Sequence, residues 1–263
     1  MLSSKPYQPH TQSGRGATIA DRSFLDFSVE ELRSLIDTYQ WLVFKHHSLS
    51  GSDVAGHLRK FGRLVQNDRR QNGILKLDGS KKEEVLLGEG FMPLHRDGAF
   101  MGNDIAFVGI CCVEYQNVTG GGRTFISDIA SAVKEVPGAM LDIIREKGIE
   151  GKPVDNYYTK PSDAWLPIPG FIDVGGVSYL NVIFPYGPGE KPSWLIRIPG
   201  VEEELFQTII ETLSAALISE KYCYYHQWSE GELLLLDNRR TLHGREAFQG
   251  QRSLVNIQVI AEA

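Results

Sequence analysis

His95 and Asp97 are separated by one residue in the segment PLHRDG at 93–98, a spacing that can serve metal chemistry. On an extended strand end, side chains two positions apart project to the same face, so this imidazole and this carboxylate can bind one ion. A third candidate ligand, His243, lies in the segment DNRRTLHGR at 237–245. Two histidines and one carboxylate on one face of an octahedron leave three positions open, which suits non-haem Fe(II) oxygen chemistry.

Histidine and carboxylate side chains also pair for purely structural reasons, so the HxD pair alone identifies no metal site. The other histidines are assigned to structure. His226 is most simply a strand residue, and the remaining four have no carboxylate at ligand spacing: His10, His46, His47 and His57. Cys111 and Cys112 lie in an apolar stretch, where buried thiols are usually inert members of the core.

The composition excludes several classes of protein. The chain has 263 residues and a net charge of −6, with 27 basic against 33 acidic side chains, so no basic surplus can neutralise a phosphate backbone or an anionic membrane. The longest apolar runs, such as Leu233 to Leu236, are far shorter than the roughly 20 residues of a membrane helix. Three cysteines without a CxxC spacing indicate neither a disulfide framework nor structural zinc. We expect a soluble, cytoplasmic protein that binds no nucleic acid and no membrane.

The elements that must position the candidate ligands begin after a polar arm. Residues 1–22 show neither helical nor strand periodicity and are predicted to form an N-terminal arm without core residues. Ser28 and Glu31 have the spacing of a capping box at the start of a helix, and the apolar run WLVFK at 41–45 predicts a buried strand. Ser52 is the predicted N-cap of a second helix.

From Ile74 onward the sequence favours antiparallel strands. The predicted strands cover 74–77, 84–87, 105–115, 123–127, 222–228, 232–237 and 252–261. Helices are predicted to begin at Asp128 and to cover 137–147 and 203–219. No repeat or linker divides the chain, so residues 23–263 are predicted to be one domain, mainly β with flanking helices, around a sandwich or barrel core.

The segments around the candidate ligands resemble those of one enzyme family. The order HRD at 95–97, GGRT at 121–124 and DNRRTLHGR at 237–245 is similar to that of the TauD/TfdA superfamily of Fe(II)/2-oxoglutarate-dependent oxygenases. Further segments look like those of carbapenem synthase-like oxygenases: LKLDG at 75–79, PLHRDG at 93–98, IFPY at 183–186, PSW at 192–194 and DNRRTLHGREAF at 237–248. The ligand segments are also similar to those of isonitrile-biosynthesis oxygenases, and the resemblance covers about residues 40–258.

The resemblance implies a fold, a metal and two co-reactants. The fold would be a distorted double-stranded β-helix, or jelly roll, whose open end holds Fe(II) between His95, Asp97 and His243. The enzyme would use 2-oxoglutarate as co-substrate and O₂ as oxidant. Thr124 would bond the far carboxylate of 2-oxoglutarate, together with an arginine on the last core strand.

That anchoring arginine is where the sequence departs from the family pattern. Aligning RSLVNIQV with the family's last strand puts Asn256 at the expected arginine position, four residues after Arg252. Residues four apart on a strand share a face but lie about 13 Å from each other, so Arg252 could substitute only with a change of register. We expect Arg252 to be the leading anchor and Arg245 the second choice, with Arg240 or an unusual mode of co-substrate binding as the alternatives.

The implied reaction is oxidation of a C–H bond in a small molecule, within secondary-metabolite biosynthesis. Family halogenases replace the ligand carboxylate by a small residue, so Asp97 favours hydroxylation, desaturation or ring chemistry over halogenation. Substrate contacts are predicted from Lys76, Leu77 and Tyr158, and from Arg239 if the substrate is anionic. A homo-oligomer is compatible with the sequence.

Two other functions remain open on the sequence. Asn256 leaves room for a non-haem iron oxidase that does not use 2-oxoglutarate and binds its own substrate at the open metal positions. A non-catalytic jelly-roll binding protein could also retain the three metal ligands by descent. Iron-dependent O₂ consumption would separate this binding protein from both enzymes, and succinate release would separate the two enzymes.

Overall fold

The computed structural model describes residues 7–45, 49–79, 87–100, 104–154 and 163–261. Its strands are β1 (Ala17–Ile19), β2 (Trp41–Phe44), β3 (Gly62–Leu64), β4 (Ile74–Leu77), β5 (Met92–His95), β6 (Ile105–Thr119), β7 (Thr124–Asp128), β8 (Ile149–Pro153), β9 (Leu166–Ile168), β10 (Phe171–Val174), β11 (Val177–Leu180), β12 (Trp194–Arg197), β13 (Cys223–His226), β14 (Leu233–Asp237), β15 (Thr241–Arg245) and β16 (Gln249–Ala261). Its α-helices are α1 (Val29–Tyr39), α2 (Gly51–Leu58), α3 (Ile129–Ala132), α4 (Gly138–Lys147) and α5 (Glu203–Leu217). The prediction of a mainly β protein with flanking helices is confirmed.

Two sheets make up the centre of the molecule. The larger has seven strands in the order β1-β2-β14-β6-β16-β3, with β4 also paired to β16. The smaller has four strands in the order β13-β7-β15-β5. Every pairing in these two sheets is antiparallel except that of β1 with β2, as the sequence predicted for the strands after Ile74. Two further small sheets, β12-β8-β9 and β10-β11, lie outside them.

Strand β14 shows how the two sheets are packed. Its leucines alternate: Leu233 and Leu235 join the apolar cluster that contains helices α1 and α2, whereas Leu234 and Leu236 join the cluster that contains Ile126 of β7. The large sheet therefore has helices on one face and the small sheet on the other. The opposite face of the small sheet packs against α4 and α5. We call the two facing surfaces the inner faces.

Most predicted helices are present, and one start is corrected. Ser28 caps α1 by accepting a hydrogen bond from the Glu31 backbone N–H, as predicted. Helix α2 begins at Gly51 because the Ser50 hydroxyl accepts from the Asp53 N–H at 3.2 Å, so the predicted cap at Ser52 is wrong. Within the described residues, no helix is long and apolar enough to cross a membrane.

The N-terminal arm contributes to the core, contrary to prediction. Strand β1 pairs in parallel with β2, and both Ala17 and Ile19 are fully buried. A strand of three residues is too short to show a period, so the local pattern could not reveal it. The strand predicted at 84–87 is not found at Leu87, which lies in a turn, and residues 84–86 fall outside the described part of the chain.

Candidate metal centre and its cavity

The inner faces of both sheets contribute side chains to one cavity. On the small sheet, His243 of β15 pairs directly with His95 of β5 and with Ile126 of β7, so the two imidazoles lie side by side. On the large sheet, alternate residues of β16 face the same space, from Arg252 at one end to Gln258 at the other. The cavity opens to solvent.

His95, Asp97 and His243 converge at one end of this cavity, and we call them the open cluster. Their ligand atoms all lie within 4.8 Å of one another. The Oδ1 atom of Asp97 is 3.4 Å from the Nε2 of His95 and 3.8 Å from the Nε2 of His243. No other group of three histidine, cysteine or carboxylate side chains with this geometry occurs among the described residues.

Hydrogen bonds with a backbone carbonyl and with the Asn238 side chain hold two of these ligands in place. The Nδ1 of His95 lies 2.9 Å from the carbonyl oxygen of Pro93, which leaves Nε2 to face the cluster. The side-chain oxygen of Asn238 accepts from the Asp97 N–H at 3.0 Å, and its Nδ2 donates to the Asp97 carbonyl at 3.0 Å and to the Ile105 carbonyl at 2.8 Å. Asn238 therefore fixes the turn that follows β5.

The second carboxylate oxygen of Asp97 points to β16. Its Oδ2 accepts a hydrogen bond of 2.6 Å from the Nε2 of Gln258, and the Nδ2 of Asn256 lies 3.5 Å from it. Arg70 donates to both the backbone and the side-chain oxygen of Asn256, at 3.0 Å and 2.8 Å. Only Oδ1 of Asp97 is left facing the two imidazoles.

The electrostatic surroundings favour the ligand forms of these side chains. Burial by itself raises the pKa of Asp97, but the hydrogen bond with His95 and the charges of His243 and His95 hold that pKa well below its usual range. Burial and the neighbouring His95 lower the pKa of His243 to about 4. Because a metal binds ionised carboxylates and neutral imidazoles, both shifts favour the forms of Asp97 and His243 that bind an ion. Two buried imidazoles and one carboxylate fit Fe(II).

The other end of the cavity is cationic. An Nη2 atom of Arg252 lies 3.4 Å from the Oγ1 of Thr124, which also accepts a hydrogen bond of 2.9 Å from the Nε1 of Trp228. Arg245 pairs with Thr124 across the sheet and donates to the carbonyl of Gly90. Arg252, the leading predicted anchor, therefore contacts Thr124, whereas Asn256 lies beside Asp97.

Arg252 and Arg245 are both buried at this end of the cavity. Burial, and then the charge of Arg245, lowers the pKa of Arg252 to about 9, and burial lowers the pKa of Arg245 to about 10. Both therefore remain cationic at neutral pH. The Nε of Arg252 is buried and has no hydrogen-bond partner among the described residues. A buried cation with an unused donor fits the carboxylate of 2-oxoglutarate.

Of the four predicted substrate contacts, one lines the cavity, two lie elsewhere, and one lies outside the described residues. Lys76 is exposed on the outer side of β4 and lines a separate surface groove, because side chains alternate along a strand, whereas Leu77 lines the cavity. Arg239 is paired with Asp104. Tyr158 lies outside the described residues. Arg240, also considered as an anchor, is bound to carboxylates of Asp237 and Asp37.

Sequence reasoning missed several residues that hold the site. The sequence patterns identify Asn238 only as part of a motif, and they do not identify Gln258, Arg70 or Trp228. Gln258 could have been found from the alternation along β16, because Arg252, Leu254, Asn256 and Gln258 share one face and three of them are polar. The other face carries the buried Val255, Ile257 and Val259.

A second buried histidine–carboxylate group lies behind the arginine end, and we call it the closed cluster. The Nε2 of His226 lies 3.1 Å from the Oε2 of Glu232, whose Oε1 forms an ion pair with Lys45. The Ser229 N–H also donates to Oε2 at 3.0 Å. Trp228 packs edge-on against the His226 ring with 4.5 Å between centroids, so it contacts both the closed cluster and Thr124.

Sequence comparison matches this chain to one family over nearly its whole length. The family model described as "Taurine catabolism dioxygenase TauD, TfdA family" matches residues 3–258. A tyrosine isonitrile desaturase of Erwinia amylovora is 24% identical over 238 residues, which cover 87% of this chain and 79% of the relative. Pentalenolactone F synthase of Streptomyces avermitilis is 22% identical, with 90% of this chain and 87% of that protein covered.

Solved structures share the fold. PvcB, described as an Fe, alpha-ketoglutarate dependent oxygenase from an isonitrile synthetic pathway, superposes with a TM-score of 0.73 at 19% identity, covering 98% of this chain and 93% of that one. The structure of AAD-2 in complex with Mn(II) and N-oxalylglycine gives a TM-score of 0.72 at 15% identity, with 95% and 96% covered. At these identities the likeness is one of architecture.

Proposed function

The chain belongs to the taurine catabolism dioxygenase TauD, TfdA family, and from this premise we propose that it oxidises a C–H bond of a small molecule with Fe(II), 2-oxoglutarate and O₂. The observation that carries the proposal is the pairing of two sites in one cavity. His95, Asp97 and His243 converge at one end, and Thr124 with Arg252 forms a cationic end. A metal ligand set alone, or a buried arginine alone, would support a weaker conclusion.

The open cluster is the proposed metal site. Bound Fe(II), with 2-oxoglutarate and O₂, supplies the oxidising power that removes hydrogen from the substrate. The protein contributes position: His95 is fixed through Pro93 and Asp97 through Asn238, so two of the ligands are held before a metal arrives. Asp97 supplies the carboxylate whose presence favours hydroxylation, desaturation or ring chemistry over halogenation.

The cationic end is the proposed anchor for the far carboxylate of 2-oxoglutarate. Thr124 Oγ1 accepts from Trp228 and is in contact with Arg252, which leaves its hydroxyl hydrogen free to donate to a carboxylate. Arg252 adds a charge-assisted bond, and Arg245 adds positive potential from the neighbouring strand.

The remaining walls of the cavity set the type of substrate. Near the open cluster they carry Trp194, whose ring centroid is 5.7 Å from that of His95, and Phe100 at 6.1 Å from Trp194. Leu75 and Leu77 of β4 complete an apolar wall. An apolar wall excludes water and receives the body of a small organic substrate. The names of the relatives are those of enzymes of isonitrile and pentalenolactone synthesis, and they support a role in secondary-metabolite biosynthesis.

We also assign the two facing sheets to a distorted double-stranded β-helix, within a single domain over residues 23–263 to which β1 of the N-terminal arm adds an edge strand. The metal site then lies between the inner faces, where β5, β15 and β16 approach one another. The 2-oxoglutarate-independent oxidase was suggested by Asn256. That reason for the alternative is weaker, because Arg252 contacts Thr124.

The deciding experiment measures O₂ consumption and succinate release with Fe(II) and 2-oxoglutarate. We expect Fe(II)-dependent conversion of 2-oxoglutarate to succinate, at least as slow turnover in the absence of the true substrate. O₂ consumption without succinate would support the alternative oxidase instead. No metal-dependent O₂ consumption with any candidate substrate, although the ion binds, would support the non-catalytic binding protein.

A further inference from the structure

Gln258 and Asn256 reach the same atom, the Oδ2 of Asp97. Gln258 donates to it at 2.6 Å, and the Nδ2 of Asn256 lies 3.5 Å away. We propose that these two carboxamides are positioning residues that occupy Oδ2 and so leave Oδ1 as the single metal-binding atom of Asp97. The inference rests on the proposed function, since it takes Asp97 to be a metal ligand.

The number of ligating oxygens matters for the reaction. A free carboxylate can bind a cation through one oxygen or through both. The three-ligand arrangement is useful because three coordination positions stay open for co-substrate and O₂. A second oxygen from Asp97 would take one of them. An N–H group bonded to Oδ2 opposes that change, because the hydrogen bond must break before Oδ2 can turn to the ion.

The direction of the Asn256 amide follows from its other partner. Arg70 has only N–H donors, and its Nη2 lies 2.8 Å from the side-chain oxygen of Asn256. The carbonyl end of the amide therefore faces Arg70, and the NH₂ end faces Asp97. A further bond from Arg70 to the backbone oxygen of Asn256 at 3.0 Å ties the guanidinium to the same strand. Arg70 thus acts on Asp97 through Asn256.

The placement on β16 is difficult to explain by packing alone. Asn256 is 6% exposed, and the residues on either side of it in the chain, Val255 and Ile257, are buried in the apolar cluster beneath α2. A buried amide is costly unless it is hydrogen-bonded, so a strand selected only for stability would carry an apolar residue here. The two amides instead find their partner in the carboxylate of the open cluster.

The test measures metal binding to the apoprotein, with Mn(II) and Co(II) as probes. Gln258→Met keeps the length of the side chain and removes its donor. We expect its dissociation constant for Mn(II), measured by calorimetry, to rise about tenfold, the lower end of effects for groups that support metal ligands. The absorption spectrum of the Co(II) form should change, because the coordination of Asp97 changes. Gln251→Met, at an exposed glutamine of the same strand, should alter neither.

A second set of variants leaves Gln258 unchanged and tests whether Arg70 acts on Asp97 through Asn256. Asn256→Leu should weaken Mn(II) binding about threefold, in keeping with its longer contact and with the modest energy of one hydrogen bond. Arg70→Met should weaken binding in the wild-type chain and have no further effect in the Asn256→Leu chain, a coupling that independent structural defects would not produce. Circular dichroism shows whether each variant is folded.

The outcomes separate the two proposals. Wild-type protein that binds no Mn(II) would overturn the proposed function and this inference with it. Wild-type binding together with an unchanged affinity and Co(II) spectrum in folded Gln258→Met would overturn the inference alone. If Gln258→Met does not fold, the other two variants decide. Additive effects of Arg70→Met and Asn256→Leu on Mn(II) affinity would overturn the action of Arg70 through Asn256, and coupled effects would support it.

Discussion

The open and closed clusters are two buried histidine–carboxylate groups on the inner side of the same sheet, and they differ in what their carboxylate faces. Both oxygens of Glu232 are engaged, one by Lys45 and the other by His226 and the Ser229 N–H. In Asp97 one oxygen accepts from Gln258, and the other contacts the imidazoles of His95 and His243 and faces the cavity, with no cation beside it among the described residues. Both clusters are buried and both contain histidine and a carboxylate, so neither burial nor residue type by itself identifies a metal site.

The presence of an internal cation explains the difference. Contacts with His226 and Lys45 overcome the effect of burial and keep the pKa of Glu232 below its usual value, so the carboxylate is already neutralised by the protein. The open cluster contains no lysine or arginine in contact with Asp97 among the described residues and relies on an added ion. A buried carboxylate with an unfilled side toward two imidazoles is therefore the feature that indicates a metal ligand.

The largest effect should come from Asp97→Ala. Removing the carboxylate leaves two imidazoles, and we expect loss of measurable Mn(II) binding and of turnover while the fold is retained. Calorimetry and succinate release measure both. Glu232→Gln is the matched control, and it should bind Mn(II) like the wild type. Loss of metal binding in Glu232→Gln as well would show that the two clusters are not independent.

Glu232→Leu should have the opposite effect to Asp97→Ala: it should reduce the free energy of unfolding and leave metal binding almost unchanged. It leaves Lys45 and His226 without their anion, and breaking a buried ion pair from one side typically costs about 3–5 kcal/mol. Urea unfolding of the apoprotein measures this cost. Mn(II) affinity should stay within about twofold, as expected for separate sites. A stability loss below about 1 kcal/mol would mean that the closed cluster contributes little.

Arg252→Ala should lower the affinity for 2-oxoglutarate about ten- to a hundredfold, the equivalent of ~1.5–3 kcal/mol for a charge-assisted hydrogen bond. Titration of the anaerobic, metal-loaded protein measures it. Arg245→Ala is the comparison variant and should have a smaller effect, because Arg245 is already bonded to the carbonyl of Gly90. The reverse order would make Arg245 the anchor.

Part of the pH dependence of stability should arise near the closed cluster, at His10. Its Nδ1 accepts from Trp41, and its ring stacks on Tyr224 at 4.0 Å. Burial, then the charges of His226 and Lys45, lower the pKa of His10 to about 4 from 6.5. Between these values the unfolded chain binds more protons, so stability falls as pH drops below 6.5.

The expected loss from His10 at pH 5 is about 1–2 kcal/mol after allowance for its partial exposure. Urea unfolding at pH 7 and pH 5 measures the difference. His10→Gln should unfold with a weaker dependence on pH over this range. An equal dependence in both proteins would show that another group is responsible.

The smallest effect should come from Trp228→Phe, at the residue that contacts both regions. The substitution keeps an aromatic ring beside His226 but removes the donor to Thr124. We expect the KM for 2-oxoglutarate to rise about three- to tenfold, the effect of one hydrogen bond, with less change in kcat. Steady-state kinetics measure both. A change in kcat alone would mean that Trp228 does not act through Thr124.

The open cluster could be predicted from the sequence because its information is local. His95 and Asp97 are two residues apart, and His243 lies in a recognisable segment next to a core strand. The contacts of Asn238 and Gln258 join residues 141 and 161 positions from Asp97, so no window of sequence contains both partners. Such contacts depend on how the two sheets are stacked.

The position of one predicted substrate contact depends on strand register. Side chains alternate between the two faces of a strand, so a shift of one residue exchanges inner for outer. Lys76 was predicted at the site and lies outside it, while Leu77 next to it lines the cavity. Arg252 and Asn256 lie four residues apart on β16 and line the same cavity, one beside Thr124 and the other beside Asp97.

Strand β1 has a consequence for how the protein tolerates shortening. It forms the edge of the large sheet. The next strand in that sheet, β2, consists of the wholly buried Trp41 to Phe44. Uncovered apolar edge strands pair readily with other chains. A chain that began after residue 22 would keep every residue of the metal centre and yet present β2 as a free edge. By pairing with β2, the arm therefore protects the molecule against self-association and aggregation.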